Sequence, residues 1–309
     1  MRDLAGYLLK RGLWMVLTLW VVYSISFALM RSVPGNPFSS ERGMPPAIEL
    51  QMKARYNLDA PIMQQYVDIL KGIVFRGDMG WSYKLEDYSV NQVIAEGFPV
   101  SASLAIFALV FALILGITAG VISAVYRRTP ADTALMMAAV LGIAVPNFVI
   151  ASIAILLFVF MLQLFPAAGW GTLSQIALPA LCLGMPIAAY IARLTRTGML
   201  EMMTKDHVRT AFAKGLPRHK VITRHVLPGA LLPVVSYLGP AVARVLTGSV
   251  VLEKIFALPG MGSHFINAAL QRDYTVAMGM VLIYTVLLFV MNTLVDVTYS
   301  IIDPRVKLQ

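Results

Sequence analysis

Few side chains in this sequence can do acid–base or metal chemistry, and their spacing does not assemble a site. His207, His219, His225 and His264 are the residues that titrate near neutral pH or bind a metal as neutral imidazole. Three of them fall in one basic stretch, where they read as solvated polar side chains. Cys182 is the single cysteine, so neither a zinc pair nor an internal disulfide is available, and its apolar surroundings make it a packing residue. The chain has no G-x-x-x-x-G-K-[ST] phosphate loop, no H-E-x-x-H and no G-x-S-x-G elbow. The expectation is therefore no catalytic residue, no metal site and no cofactor in this chain.

Polar groups inside apolar helices are the second place to look, because a charge in hydrocarbon is costly and marks a pathway or a partner. Arg244, Asn292 and Asp296 stand in such positions, with Asn292 one turn before Asp296. A stand-alone ion-coupled carrier would use such groups to bind its coupling ion. An interhelical ion pair or a contact with a partner subunit is the structural alternative.

The basic stretch carries the more informative pattern. Val208, Ala211 and Phe212 fall at i, i+3 and i+4 behind Asp206 as N-cap, and Lys214-Gly215 supplies a basic last turn and a C-cap. Pro217 then opens a second short helix carrying Ile222 and Val226, which Leu227-Pro228 ends. A compact pair of helices with an exposed apolar edge asks for a protein partner. Nucleic acid is the rival partner for a basic helical pair, and fastening this one between two membrane helices argues against it.

The elements that must position these groups follow from composition. Of 309 residues, 58% are apolar and only 13% charged, which excludes a disordered chain, a fibre, a disulfide scaffold and a cytosolic enzyme. The charges leave free runs at 12–30, 97–126, 133–192, 225–243 and 274–295, each long enough to cross a bilayer. The run from Thr133 to Ala192 is too long for one crossing and must turn at Phe165-Pro166-Ala167-Ala168-Gly169-Trp170-Gly171. An all-α polytopic membrane protein results, with six helices near 8–30, 100–126, 132–162, 176–195, 231–252 and 277–302. Prolines 146, 179, 186, 228, 233 and 240 are expected to be mostly kinks that neighbouring helices accommodate. The first run exceeds a signal-peptide core and lacks a small-x-small cleavage site, so it reads as a retained helix.

Basic residues set the orientation. The segment 193–224 holds Arg193, Arg196, Lys205, Arg209, Lys214, Arg218, Lys220 and Arg224 against Glu201 and Asp206, which places it in the cytoplasm. Arg2, Lys10, Arg11, Arg127, Arg128, Arg305 and Lys307 fall on the same side, so both termini are cytoplasmic. The net charge of +9 is then the inner flank of the helices. The hydrophilic stretch 32–96 lies outside, and Ile62, Tyr66, Ile69, Leu70 and Ile73 recur there at helical spacing before a Gly77-Asp78-Met79-Gly80 turn. The chain thus divides into residues 1–31, an outer segment 32–96, and a five-helix core 97–309 with a cytoplasmic loop at 196–228.

At that loop the sequence resembles the permease subunits of ATP-binding-cassette importers, which carry E-A-A, three residues, Gly, nine residues, then I-x-L-P. Arg209-Thr210-Ala211, Gly215 and Leu227-Pro228 occupy that frame, with Arg209 in place of Glu and His225 in place of Ile. No contact of the family's Glu carries over to Arg209. The form is similar to the dipeptide and oligopeptide branch. So are Pro34-Gly35-Asn36-Pro37, Tyr56-Asn57-Leu58-Asp59, Gln65-Tyr66, Gly77 to Gly80, Phe256 with Pro259-Gly260 and Gly262, Arg272-Asp273-Tyr274, Asn292, Asp296, Tyr299 and Asp303-Pro304-Arg305. Pro45-Pro46 after Glu41-Arg42 resembles the oligopeptide form of the B-type subunit.

The resemblance implies one half of a channel in the bacterial inner membrane, passing oligopeptides by alternating access. Its implied partners are a homologous C-type permease, two ATPase subunits, a periplasmic peptide-binding protein and membrane lipid. Arg209, Thr210, Ala211, Phe212, Gly215, Leu227 and Pro228 would then be the ATPase-coupling residues, and the missing phosphate loop fits energy supplied by another chain. A stand-alone ion-coupled transporter built on Arg244 and Asp296, and an anchoring subunit with no transport path, are the alternatives.

Overall fold

The computed structural model describes residues 2–32, 59–85 and 87–302. The Pro34–Pro37, Glu41–Pro46, Tyr56–Leu58 and Asp303–Arg305 motifs lie outside the described residues. Those described form helices: α1 Arg2–Ser32, α2 Ile62–Lys71, α3 Val90–Val125, α4 Pro130–Ala144, α5 Asn147–Met161, α6 Leu173–Met202, α7 Asp206–Ala213, α8 Arg218–Ala230, α9 Leu232–Ile255, α10 Met261–Gln271 and α11 Tyr274–Ile302. Among the described residues the only β pairing is an isolated bridge between Trp81 and Ser89. Four helices, α1, α3, α6 and α11, are long and apolar enough to cross a membrane, and the bent pairs α4–α5 and α8–α9 raise the number to six.

Contacts divide the chain into two compact units, residues 1–100 with 259–289, and residues 101–258 with 290–309. In the first, the amphipathic α2 lays Tyr66, Ile69, Leu70 and Ile73 against Tyr23 of α1 and Met278 and Leu282 of α11. The Tyr23 hydroxyl donates to the Tyr66 carbonyl at 2.7 Å, which ties the apolar face to a polar anchor. Ile62, at the start of the predicted stripe, is exposed instead. Gly77 closes this segment at φ +63°, a conformation that suits a residue without Cβ. Asp273 fixes the same unit from the other end, since its carboxylate accepts from the Tyr83 N–H at 3.1 Å, the Ser82 hydroxyl and the Val276 N–H at 3.3 Å. It therefore caps α11 and holds the 81–83 loop with one side chain.

The second unit is organised on α6, whose inward residues alternate small and large. Gly116 and Gly120 of α3 sit so close to α6 that a Cβ would stand 2.6 Å from the Ala188 and Ala192 carbonyl oxygens. Glycines four apart let two backbones approach where apolar burial alone gives little drive in lipid. The corner at 165–171 forms as expected, with Gly169 and Gly171 at φ +109° and +118°. Thr172 and Gln175 build a capping box that starts α6.

Two helices depart from the sequence reading. The membrane helix expected at 132–162 is broken at Val145-Pro146, and its arms α4 and α5 meet at 112°. Pro146 biases Val145 to extended backbone, ψ 128°, and Val145 takes it, so the helix stops and restarts. The helix expected from Val100 begins at Val90 and carries Pro99 inside it. At 36 residues it is about 54 Å long, more than a bilayer core needs.

Candidate functional site

The short helix α7 begins one residue earlier than the sequence suggests. Lys205 is at the N-cap without a side-chain bond, and Asp206 is in the first turn, where its carboxylate lies 3.7 Å from Arg209. Both side chains are exposed, so this pair adds little stability. The other end is firmly made. Gly215 stands at φ +76°, its N–H meets the Phe212 carbonyl at 2.9 Å, and the Leu216 N–H meets the Ala211 carbonyl at 3.3 Å. These two bonds form a Schellman motif, and Leu216 packs beside Ala211 to complete it. Nothing lies within 4 Å of the position a Gly215 Cβ would take, so the requirement is on backbone conformation and not on space.

The apolar stripe of α7 is split between two environments. Val208 and Ala211 are buried against Val221, Val226 and Ala230 of α8, Met199 of α6 and Ala124 of α3. Phe212 points away from that core and is 47% exposed. Thr210 donates its hydroxyl to the Asp206 carbonyl, and Arg209 is exposed beside it. The pair thus presents one bulky apolar side chain, flanked by Arg209 and Lys214, on a base that is already packed.

Pro228 does not end α8. The helix widens into a π turn over Ile222–Val226 and runs on to Ala230. Proline has no N–H and its ring crowds the carbonyl four residues back, and one wide turn relieves both problems. Leu227 is half-buried on the α7–α8 core and Pro228 is exposed.

Two contacts join this helix pair to the rest of the second unit, and a third clamps α6 to α4. A Cβ on Gly198 of α6 would lie 2.5 Å from the Ala230 carbonyl oxygen, so α6 and α8 touch backbone to backbone. Arg218 donates to the Val125 carbonyl at 3.2 Å, placing a cation at the C-terminus of α3. Arg196 of α6 meets Asp132 of α4 by two parallel bonds, 2.8 and 2.9 Å, and Asp132 also accepts from Ser123 and from the Arg128 N–H. Asp132 and Arg196 were legible only as a helix start and a loop cation, because 64 residues separate them.

The polar intramembrane residues are dispersed. Arg244, midway along α9, lines a cavity with Val145, Pro146 and Asn147. Asn292 is exposed and Asp296 half-buried on α11, and neither lines that cavity. Glu253, which the sequence reading passed over, is fully buried and accepts from Ser101 at 2.8 Å. Its signal was an acid directly after an apolar run. Among the described residues no group of three or more His, Cys, Asp or Glu side chains could hold a metal ion.

Residues 116–308 match the family described as "Binding-protein-dependent transport system inner membrane component", and residues 4–105 match its N-terminal companion. The dipeptide transport system permease protein of Bacillus subtilis is 46% identical over 305 residues, 99% of each chain. The oligopeptide transport system permease protein of Escherichia coli K12 is 43% identical over 303 residues, 97% of this chain and 99% of that one. A crystal structure of an amino acid ABC transporter with histidines has a TM-score of 0.52 at 15% identity, over 67% of this chain and 93% of that one, a likeness of fold. With the family's full frame present from Leu4 to Leu308, the chain belongs to the inner membrane components of binding-protein-dependent transport systems.

Proposed function

We propose that this permease subunit carries oligopeptides inward across the bacterial inner membrane by alternating access, using energy from separate ATPase chains. The subunit is not an enzyme, and it works with an ATPase and a binding protein. In the proposed complex it pairs with a homologous C-type permease, stands on two ATPase subunits, and receives peptide from a periplasmic binding protein. It holds no cofactor of its own, and lipid covers its remaining apolar surface. Both termini and the α7–α8 pair face the cytoplasm, and the 32–96 segment faces the periplasm.

The observation that carries this reading is the α7–α8 pair: Phe212 is exposed on a short helix whose Val208 and Ala211 are already buried. Such a knob fits a pocket on another protein, and the Gly198, Arg196 and Arg218 anchors would pass a push on it into α6, α4 and α3. A shift of this rigid unit changes which of two bundle states is favoured, so hydrolysis elsewhere can gate the path. Arg209, Thr210, Ala211, Gly215, Leu227 and Pro228 shape or flank that knob.

The test is uptake of a labelled tripeptide by vesicles containing the whole complex. Uptake should require ATP and loaded binding protein, and an imposed proton or sodium gradient should not replace them. Uptake driven by a gradient without ATP would overturn the proposal.

A further inference from the structure

The break in the α4–α5 span opens a cavity of about 320 Å³ that the coupling reading does not use. Val145, Pro146 and Asn147 line it from the break, Pro186 and Ile187 from α6, and Arg244 from α9. Val145, Ile187 and Arg244 each fall near the midpoint of their own span, so the cavity sits at mid-membrane depth. Its wall is nevertheless more polar than apolar. Lipid tails could satisfy none of those polar groups, and interrupted backbone at that depth is tolerated where it meets protein or water.

Two sources of open hydrogen-bonding capacity stand in that wall. Proline has no N–H, so Pro146 removes the donor that would meet the Gly142 carbonyl, and extended backbone at Val145 carries the following N–H groups away from the Ile143 and Ala144 carbonyls. Among the described residues neither of those two carbonyls has a backbone donor. Asn147 is half-buried, and its carboxamide has no hydrogen-bond partner among the described residues. Arg244 already has a partner, so it charges the wall without offering an open site. The capacity left over is uncharged.

Resting on the peptide-importer reading, we infer that this cavity is a station for the main chain of a peptide in transit, with the Asn147 carboxamide as its partner. A carboxamide and a peptide group each carry a donor N–H and an acceptor oxygen, so the two pair reciprocally. The Ile143 and Ala144 carbonyls offer further acceptors to a neighbouring peptide N–H. Every peptide presents this pattern whatever its side chains, so the contact guides the substrate without selecting its sequence. It asks for no counter-charge, as suits a cavity whose cation is already engaged.

The experiment uses the whole complex in nanodiscs, with Ala144→Cys in a Cys182→Ser background, and follows labelling by a small water-soluble thiol reagent. Ala144 is exposed in the cavity wall, and a nanodisc admits peptide from both faces without delivery by the binding protein. Labelling should proceed without peptide and slow severalfold at saturating tri-alanine. Tri-sarcosine, an isomer with a methyl group on every peptide nitrogen, should need about tenfold more for equal protection, the effect of leaving the carboxamide oxygen unpaired. Asn147→Leu should bring that preference down to about threefold or less, and Asn147→Gln should hold it above that level. A thiol at position 144 that never reacts, that peptide does not protect, or that both isomers protect equally would overturn the inference, as would an unchanged preference in Asn147→Leu. Should Asn147→Leu not assemble, Asn147→Ala removes the same carboxamide and is read the same way; should Ala144→Cys not assemble, Val145→Cys replaces it. Vesicle uptake of tri-alanine by the unsubstituted complex separates the two readings. Its absence brings down the importer reading, while uptake without protection at position 144 brings down the cavity alone.

Discussion

Gly215 and Phe212 do different things at neighbouring positions, and substitution should separate them. Gly215 is needed for φ +76°, and a β-branched side chain there costs roughly 1–2 kcal/mol in open space. Gly215→Val should therefore re-aim the chain into α8 and lower both binding-protein-stimulated ATPase activity and the ATPase retained on membranes. Gly215→Asn, which tolerates the left-handed region, should keep most of both. If Val and Asn behave alike, the backbone requirement is not what matters there. Phe212→Ala removes contact area and leaves the backbone alone, so it should weaken ATPase retention several-fold while α7–α8 keeps its resistance to proteolysis. Gly215's conformation was legible because Lys-Gly-Leu-Pro leaves few ways to end a helix. The direction of Phe212 was not, since on an eight-residue helix the i, i+3, i+4 pattern fits one broad face, and only the partner helices decide which of the three residues stays outside.

Between elements, the sequence announces where the chain bends more reliably than how. Proline occurs in α3, α6 and α9 without ending them, widens α8 into a π turn, and stops α4 outright. The difference lies in what surrounds each residue: α6 is packed on several sides and its neighbours hold Pro179 and Pro186 in line, whereas Val145 is free to extend. Long-range pairing was equally hidden. The Asp132–Arg196 pair links α4 to α6, and Ser123 and the Arg128 N–H complete the carboxylate's bonds. Removing one partner leaves the other charge in an apolar setting, so Arg196→Met should lower thermal stability more than Asp132→Asn with Arg196→Met together. Strict additivity of the two losses would mean that the pair does not clamp these helices.

At the scale of the whole molecule, the open choice is whether the bent α4–α5 pair crosses the membrane or dips in and returns, and the two make different proteins. A crossing gives six spans with both termini on one side. A re-entrant loop gives five, and it sends the basic segment from Arg193 to Arg224 to the side opposite Arg127 and Arg128. The positive-inside tendency favours keeping those two basic clusters together, which requires two crossings between them, one by α4–α5 and one by α6. Ala131 is exposed in the first turn of α4, and Ala168 and Thr204 are exposed in the bends before and after α6. Single cysteines there, in a Cys182→Ser background, should react with a membrane-impermeant thiol reagent from the cytoplasmic side at 131 and 204, and from the outside at 168. Cys182 is buried, so its replacement only removes a slow background. Labelling of 131 and 168 from the same side would make the pair re-entrant. It would also move Thr204 and the neighbouring α7–α8 pair away from any cytoplasmic ATPase, and the coupling role assigned to Phe212 would fall with it.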